Sequence, residues 1–256
     1  MDISSITILQ AAVIFAAGVV AGFVNSLAGG GSLIAIASLL FLGLPSPIAN
    51  ATNRVAIVLQ NSVSVRAFRR AGLLDFRHTL QAIVPAGLGA VAGTLIAVEV
   101  PEHIFDIALA VVLVLVVITV FIPAPKAGSR RLHSRSKGAS AILRGLAFFL
   151  TGLYGGFVQS GVGFLLIAVV SLIHESDLVA TNAIKVSVVM AFGAISLAIF
   201  AFHGMVVWSA GLLLGAGTMA GAWIGVHAAL RHGAGFVRWV IVASAGAAAL
   251  RLLGVL

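Results

Sequence analysis

Two stretches of this chain set glycines beside hydrogen-bonding side chains within otherwise apolar sequence. They are Asn25-Ser26-Leu27-Ala28-Gly29-Gly30-Gly31-Ser32 and Gln159-Ser160-Gly161-Val162-Gly163. Glycine lets backbone amides turn and approach a ligand closely. A half-helix starting just after such a break aims its N–H groups and the positive end of its dipole at the gap, which attracts an anion. Close helix packing also uses small residues and accounts for any one glycine taken alone. Each half of the chain further carries a cation inside an apolar segment: Arg54 in Asn50-Ala51-Thr52-Asn53-Arg54, and Lys185 in Asn182-Ala183-Ile184-Lys185. A charge at the bilayer centre costs about 2.5–3.5 kcal/mol on insertion scales, so such residues are candidates for function. The carboxylates (Asp2, Asp75, Glu99, Glu102, Asp106, Glu175 and Asp177) all fall near segment ends and leave neither cation an intramembrane acid. An anionic substrate is one natural partner. Snorkelling to the interface is the other account, since each cation lies within two turns of a predicted loop.

The candidate substrate-binding residues of the first half are therefore Asn25, Ser26, Gly29, Gly30, Gly31, Ser32, Asn50, Asn53 and Arg54. Those of the second half are Gln159, Ser160, Gly161, Gly163, Asn182 and Lys185. Gln60, Asn61, Ser62 and Ser64 are polar residues within one span; they either line a path or join helices. His227 could carry a proton, although a lone histidine serves equally as a hydrogen-bonded structural residue. The glycine pairs Gly89/Gly93 and Gly221/Gly225 have GxxxG spacing and are read as helix contacts. Motifs for zinc proteases, serine hydrolases and nucleotide-binding P-loops are absent from the sequence. The expectation is a protein that is not an enzyme and needs neither cofactor nor metal. With no cysteine, disulfides and thiolate chemistry are excluded.

The elements that must position these residues are membrane helices. Of 256 residues, 61% are hydrophobic and 9% charged. A soluble domain carries about 25% charged residues, so a soluble enzyme or a disordered tail is excluded. Only helices and closed barrels satisfy their backbone groups in lipid. Apolar segments fall at about 6–27, 32–44, 49–67, 76–98 and 104–122, and again at about 141–159, 162–173, 178–202, 207–230 and 235–255. Segment 32–44, at 1.5 Å per residue, covers about 20 Å of a hydrocarbon core about 30 Å thick; 162–173 is also short. The start lacks the basic region of a cleaved signal peptide, so the first segment is expected to be retained.

The two halves repeat each other. Asn50-Ala51 falls on Asn182-Ala183 at an offset of 132, as Phe68 falls on Phe200 and Gly72 on Gly204. Glycine-interrupted short segments recurring in both halves point to a transporter's binding site. Charge orients the halves. Arg66, Arg69, Arg70, Arg77 and His78 mark one cytoplasmic loop, and Lys126 to Lys137 another, whereas Glu99, Glu102 and Asp106 lie outside. In the second half the pattern flips, with the uncharged His203-Gly204 loop outside and Arg231 and Arg238 inside. The net charge of +8 is therefore read as membrane topology and not as nucleic-acid binding.

The fold class expected is all-α: a polytopic transmembrane helical bundle of two inverted repeats of about five hydrophobic segments, each with a short glycine-interrupted segment. The first repeat is 1–122, a basic cytoplasmic linker 123–140, and the second repeat 141–256, with both termini outside. The sequence resembles the sulfite exporter TauE/SafE family. In the first half the likeness lies in residues 22–32, in Gly43-Leu44-Pro45 and in Asn50-Ala51-Thr52-Asn53-Arg54. In the second it lies in Gly152-Leu153-Tyr154-Gly155-Gly156-Phe157, Gly161-Val162-Gly163-Phe164, Asn182-Ala183-Ile184-Lys185 and His203-Gly204. The resemblance implies a multi-pass carrier of small anions, often sulfite or sulfonates, in a bacterial plasma membrane. The partners expected are a small anionic substrate and the lipid bilayer. Alternating access of the two repeats would move the anion, with protons travelling beside it or through His227. An anion channel, or a membrane assembly subunit without flux of its own, would suit the same residues.

Overall fold

In the computed structural model, residues 7–74, 76–121, 137–173 and 177–252 are described, and among them the chain is helical without a strand. The first half comprises α1 (Ile8–Leu27), α2 (Ser32–Phe41), α3 (Ser46–Arg70), α4 (Phe76–Glu99) and α5 (Glu102–Phe121). The second comprises α6 (Lys137–Phe157), α7 (Val162–Ile173), α8 (Leu178–Phe202) and α9 (Trp208–Leu252). Gly233 breaks α9 into two arms (φ 71°, ψ −165°), as the two apolar segments expected there require. Residues 123–136 of the basic linker, and 174–176 of the acidic turn before α8, lie outside the described residues.

Local signals set the helix ends. Thr7 caps α1 with a reciprocal box: its hydroxyl accepts the Gln10 N–H while the Gln10 side chain accepts the Thr7 N–H. Asp177 caps α8 by accepting from the amides of Val179 and Ala180 at 2.9 and 2.7 Å. The helices α3 and α8 have the same length of 25 residues, and each ends two residues before a positive-φ glycine, Gly72 and Gly204. Matching bonds close both ends, Leu73 N–H to Phe68 O at 3.1 Å and Met205 N–H to Phe200 O at 3.0 Å. The offset of 132 read from the sequence thus joins two helices with the same bounds.

Among the described residues, four helices are long and apolar enough to cross a membrane: Ile8–Leu27, Thr79–Glu99, Leu178–Phe202 and Trp208–Ala243. On α4, Leu80, Val84, Leu88, Val91 and Leu95 form an exposed apolar stripe at helical spacing. The opposite face of α4, Ala82, Ala86 and Ala90, is fully buried. There Gly89 and Gly93 press against the α6 carbonyls of Phe149 and Leu153, leaving no room for a Cβ. Gly221 of α9 meets Val19 of α1 in the same way, and Gly225 meets Ser26. The glycine pairs are therefore helix contacts, as their spacing predicts. Both contacts cross between halves, α4 on α6 and α9 on α1, so the halves interlock.

The helix α3 is buried despite being polar. Asn50, Asn53, Ile57, Gln60 and Ser64 recur every three or four residues along one stripe, all of them buried. In lipid such a stripe must face the bundle interior. The short helices α2 and α7 turn back along α1 and α6: Ile14 and Ala21 cluster with Ala35, Ile36 and Leu39, and Phe148 clusters with Val162, Leu166 and Val170. With 10 and 12 residues they rise only about 15 and 18 Å.

Candidate functional site

The first break follows α1, whose end is closed by the Ala28 N–H on Val24 O at 2.7 Å. Gly29 then takes φ +106°, a conformation strained for any residue with a Cβ. The Asn25 side chain spans the break: its Oδ1 accepts the Ser32 N–H at 3.1 Å and its Nδ2 donates to Ser32 Oγ at 3.2 Å. Asn25 therefore caps α2 from the end of α1. The next amides of α2 are also used, Leu33 on Gly30 O at 3.2 Å and Ile34 on Gly31 O at 3.0 Å. The second break follows α6 and turns at Gly161 (φ +75°). Tyr154 closes it by donating its hydroxyl to the Ser160 carbonyl. The two breaks meet. The backbone of Gly163 occupies the place where a Cβ on Gly29 would sit, and Gly29 does the same to Gly163.

Each break is held by the polar helix of the other half. From α3, Asn50 donates to Phe157 O at 3.0 Å and accepts the Gln159 N–H at 3.4 Å. Arg54, fully buried, donates to Gly155 O at 2.6 Å, to Gly156 O at 2.9 Å and to the side-chain oxygen of Gln159. Its guanidinium also sits 5.6 Å from the centre of the Phe200 ring. From α8, Asn182 donates to Ser26 O, and Lys185 Nζ donates to Asn25 O at 2.8 Å. Both cations thus sit on the carbonyl ends of helices, where the helix dipole is negative. The partners are main-chain carbonyls and, for Arg54, also the Gln159 side-chain oxygen; a main-chain carbonyl is announced by no residue type.

Between the breaks lies a cavity of about 10 Å³, room for one water-sized sphere. Its walls are Asn25, Gly29 and Ser32 from the first break and Gln159, Val162 and Gly163 from the second, with Ile57, Gln60 and Asn61 of α3 and Lys185 and Val189 of α8. Among the described residues, Lys185 is the one cation in this lining, and no carboxylate joins it. Of the sequence candidates, Asn25, Gly29, Ser32, Gln159, Gly163 and Lys185 line the cavity. Ser26, Gly30, Gly31, Asn50, Asn53, Arg54, Ser160, Gly161 and Asn182 do not. Ser26 turns back to bond Phe23 O at 2.9 Å, Gly30 lies beside the Phe164 ring, and Gly31 packs on the Ala21 carbonyl. His227 is exposed on α9, bonded to Trp223 O at 2.7 Å, and is not part of the cavity.

Several buried polar atoms around the breaks have no partner: Arg54 Nε, both amide atoms of Asn53, Gln60 Oε1, Ser160 Oγ and Asn182 Oδ1. Buried polar atoms are nearly always satisfied; of these residues Gln60 also lines the cavity, and its free oxygen marks a place for water there. Sequence reasoning missed Ile57, Val162 and Val189 as cavity walls. Ile57 and Val189 are themselves related by the offset of 132, which is the signal that would have found them.

Residues 14–252 match the family model described as sulfite exporter TauE/SafE. A probable membrane transporter protein of Sinorhizobium sp is 31% identical over 94% of this chain and 92% of its own length. One from Haemophilus influenzae is 30% identical over 90% and 89% of the two chains. The probable membrane transporter YfcA of Escherichia coli K12 is 27% identical over 94% and 88%. No solved structure matches the chain.

Proposed function

This chain belongs to the sulfite exporter TauE/SafE family of membrane transporters, and from that premise we propose that it carries small anions, sulfite, sulfonates or other organosulfur anions foremost. The observation behind this reading is the meeting of the two glycine breaks around a cavity whose one charged lining residue, among those described, is Lys185. An ammonium offers three donors, and Asn25 O takes one of them. At 4 Å and an effective dielectric near 20, a cation attracts an anion by about 4 kcal/mol, against about 0.5–1.5 kcal/mol for one neutral hydrogen bond. Lys185 therefore sets the charge preference, and Asn25, Ser32 and Gln159 orient the oxygens. Arg54 works one layer further back: it shapes the second break and adds positive potential. Asn53, whose amide has no partner, and Ser160, whose hydroxyl has none, become donors to the anion once the breaks part, whereas Asn182 keeps its amide nitrogen on Ser26 O.

A cavity of this size holds no anion, so the substrate is accommodated only when the Gly29–Gly163 contact opens. Rocking of two halves inverted with respect to the membrane would open it to one side at a time, in the plasma membrane of a bacterial cell. Transport is secondary, with protons free to accompany the anion, and the relatives' description as probable membrane transporters supports a carrier. The test is uptake of labelled sulfite and of a sulfonate and carboxylate panel into proteoliposomes. Saturable flux with counterflow, lost on Lys185→Gln, is the expected result. Undiminished flux of every anion in that variant would sink the site, and large single-channel currents would replace the carrier with a pore.

A further inference from the structure

The helices α3 and α8 share one lining position at the offset of 132, Ile57 and Val189, and beyond it toward their C-terminal ends the residue types diverge. At the offset of 132, Ile57 pairs with Val189, Gln60 with Phe192, Asn61 with Gly193 and Ser64 with Ser196. On α3 the lining continues past Ile57 to Gln60 and Asn61; on α8 it stops at Val189. Phe192 is fully buried. Its ring fills the space beside Gly155, 2.8 Å from where a Cβ there would sit, and leans toward the Val162 side of the second break. Gln60 is 2% exposed with an orphan oxygen. Asn61 bonds Ile57 O at 2.8 Å, and the next buried polar group along the helix, Ser64, bonds Gln60 O at 3.1 Å. The polar wall thus runs toward the end of α3 that carries Arg69 and Arg70. The positive-inside rule puts that end in the cytoplasm.

We propose that the site communicates with the cytoplasm past Gln60 and Asn61, and that Phe192 is the plug that seals it from the outside. The inference rests on reading the cavity as the transport site and the halves as inverted, which puts the C-terminal end of α8 outside. Its physical basis is solvation: an anion sliding along amides exchanges water for N–H donors, whereas beside a phenyl ring it loses water and gains nothing. In the closed structure the barrier is therefore lower on the amide side. The anion waits behind Phe192, and outward opening requires that ring to leave its seat against Gly155.

The chain contains no cysteine, so single cysteines report access without background. Asn61→Cys and Gly193→Cys occupy matched positions. A Cβ at Gly193 makes ordinary contacts of 3.4 and 3.9 Å with Ile57 and Val58. A membrane-impermeant maleimide is applied to right-side-out and everted vesicles. Asn61→Cys is expected to react from the cytoplasmic face at least about tenfold faster than from outside, the rate equivalent of ~1.4 kcal/mol. Gly193→Cys is expected to stay unreactive from outside, and to gain about tenfold there when Phe192→Ala is added. Phe192→Leu, which keeps more of the packing, should give the same change in smaller degree. Faster labelling of Asn61→Cys from outside overturns the proposal, as does labelling of Gly193→Cys at the Asn61→Cys rate with Phe192 in place. A reversed pattern with normal flux defeats this inference alone. The expected pattern in a protein that transports no anion defeats the transport reading.

Discussion

One break is held by Lys185 through a single hydrogen bond, the other by Arg54 through three and an aromatic face. Both cations come from equivalent helices, and both meet the carbonyl end of a helix from the opposite half. The guanidinium uses its fixed fork to pin Gly155, Gly156 and Gln159 together. The ammonium holds one carbonyl and turns toward the cavity. A planar fork with several bonds is a clamp, whereas a point charge with spare donors is a ligand. The comparison teaches that a buried cation's role follows from how many of its donors the protein already uses.

The largest effect should come from the clamp. Arg54→Gln removes charge-assisted bonds worth about 1.5–3 kcal/mol each and strands the carbonyls behind them, for a net loss of about 3–5 kcal/mol. Thermal unfolding in detergent checks this, and Arg54→Lys should not restore stability because it lacks the fork. A small loss, or rescue by lysine, would erase the distinction between the two cations.

Next come the touching glycines. Gly29→Ala and Gly163→Ala both insert a methyl between the breaks, an overpacking cost of about 1–3 kcal/mol. Only Gly29 also has a left-handed φ, so its alanine variant should unfold about 1–2 kcal/mol more easily than that of Gly163. Equal midpoints would show that the two breaks have parted from the contact described.

Lys185→Gln should cost only about 1 kcal/mol of stability, since relief from burying a charge offsets the lost bond. Its KM for the transported anion should rise at least about tenfold, a part of the Coulomb attraction at that site. A variant as unstable as Arg54→Gln, with unchanged KM, would make Lys185 a second clamp.

The smallest effect, and the one whose sign matters most, is at Asn53. Replacing a buried amide that has no partner by a similar apolar side chain should be neutral or stabilise by about 1 kcal/mol. Asn53→Leu is therefore expected to raise the unfolding midpoint slightly while reducing flux. Normal flux at higher stability would leave Asn53 outside the transport path.

Much of the architecture was legible beforehand because the bilayer imposes it. Apolar runs had to become helices, and the glycine breaks, the short helices α2 and α7 and the GxxxG contacts all stand where the sequence pattern puts them. The site was legible in part. Asn25, Gly29, Ser32, Gln159, Gly163 and Lys185 reach the cavity, whereas Arg54 and Asn50 stand behind it. The amides of α2, expected to face an anion, are occupied by Asn25, Gly30 and Gly31.

By itself the sequence determined a helical membrane protein with two related halves, two breaks and two cations inside apolar segments, because hydrophobicity, glycine spacing and charge are properties of residue type. Only the tertiary structure decided that each cation serves the opposite half, that one is a clamp and the other faces the cavity, and that Gly29 meets Gly163. Those outcomes depend on main-chain carbonyls and backbone contacts, which every residue possesses and which only packing brings together.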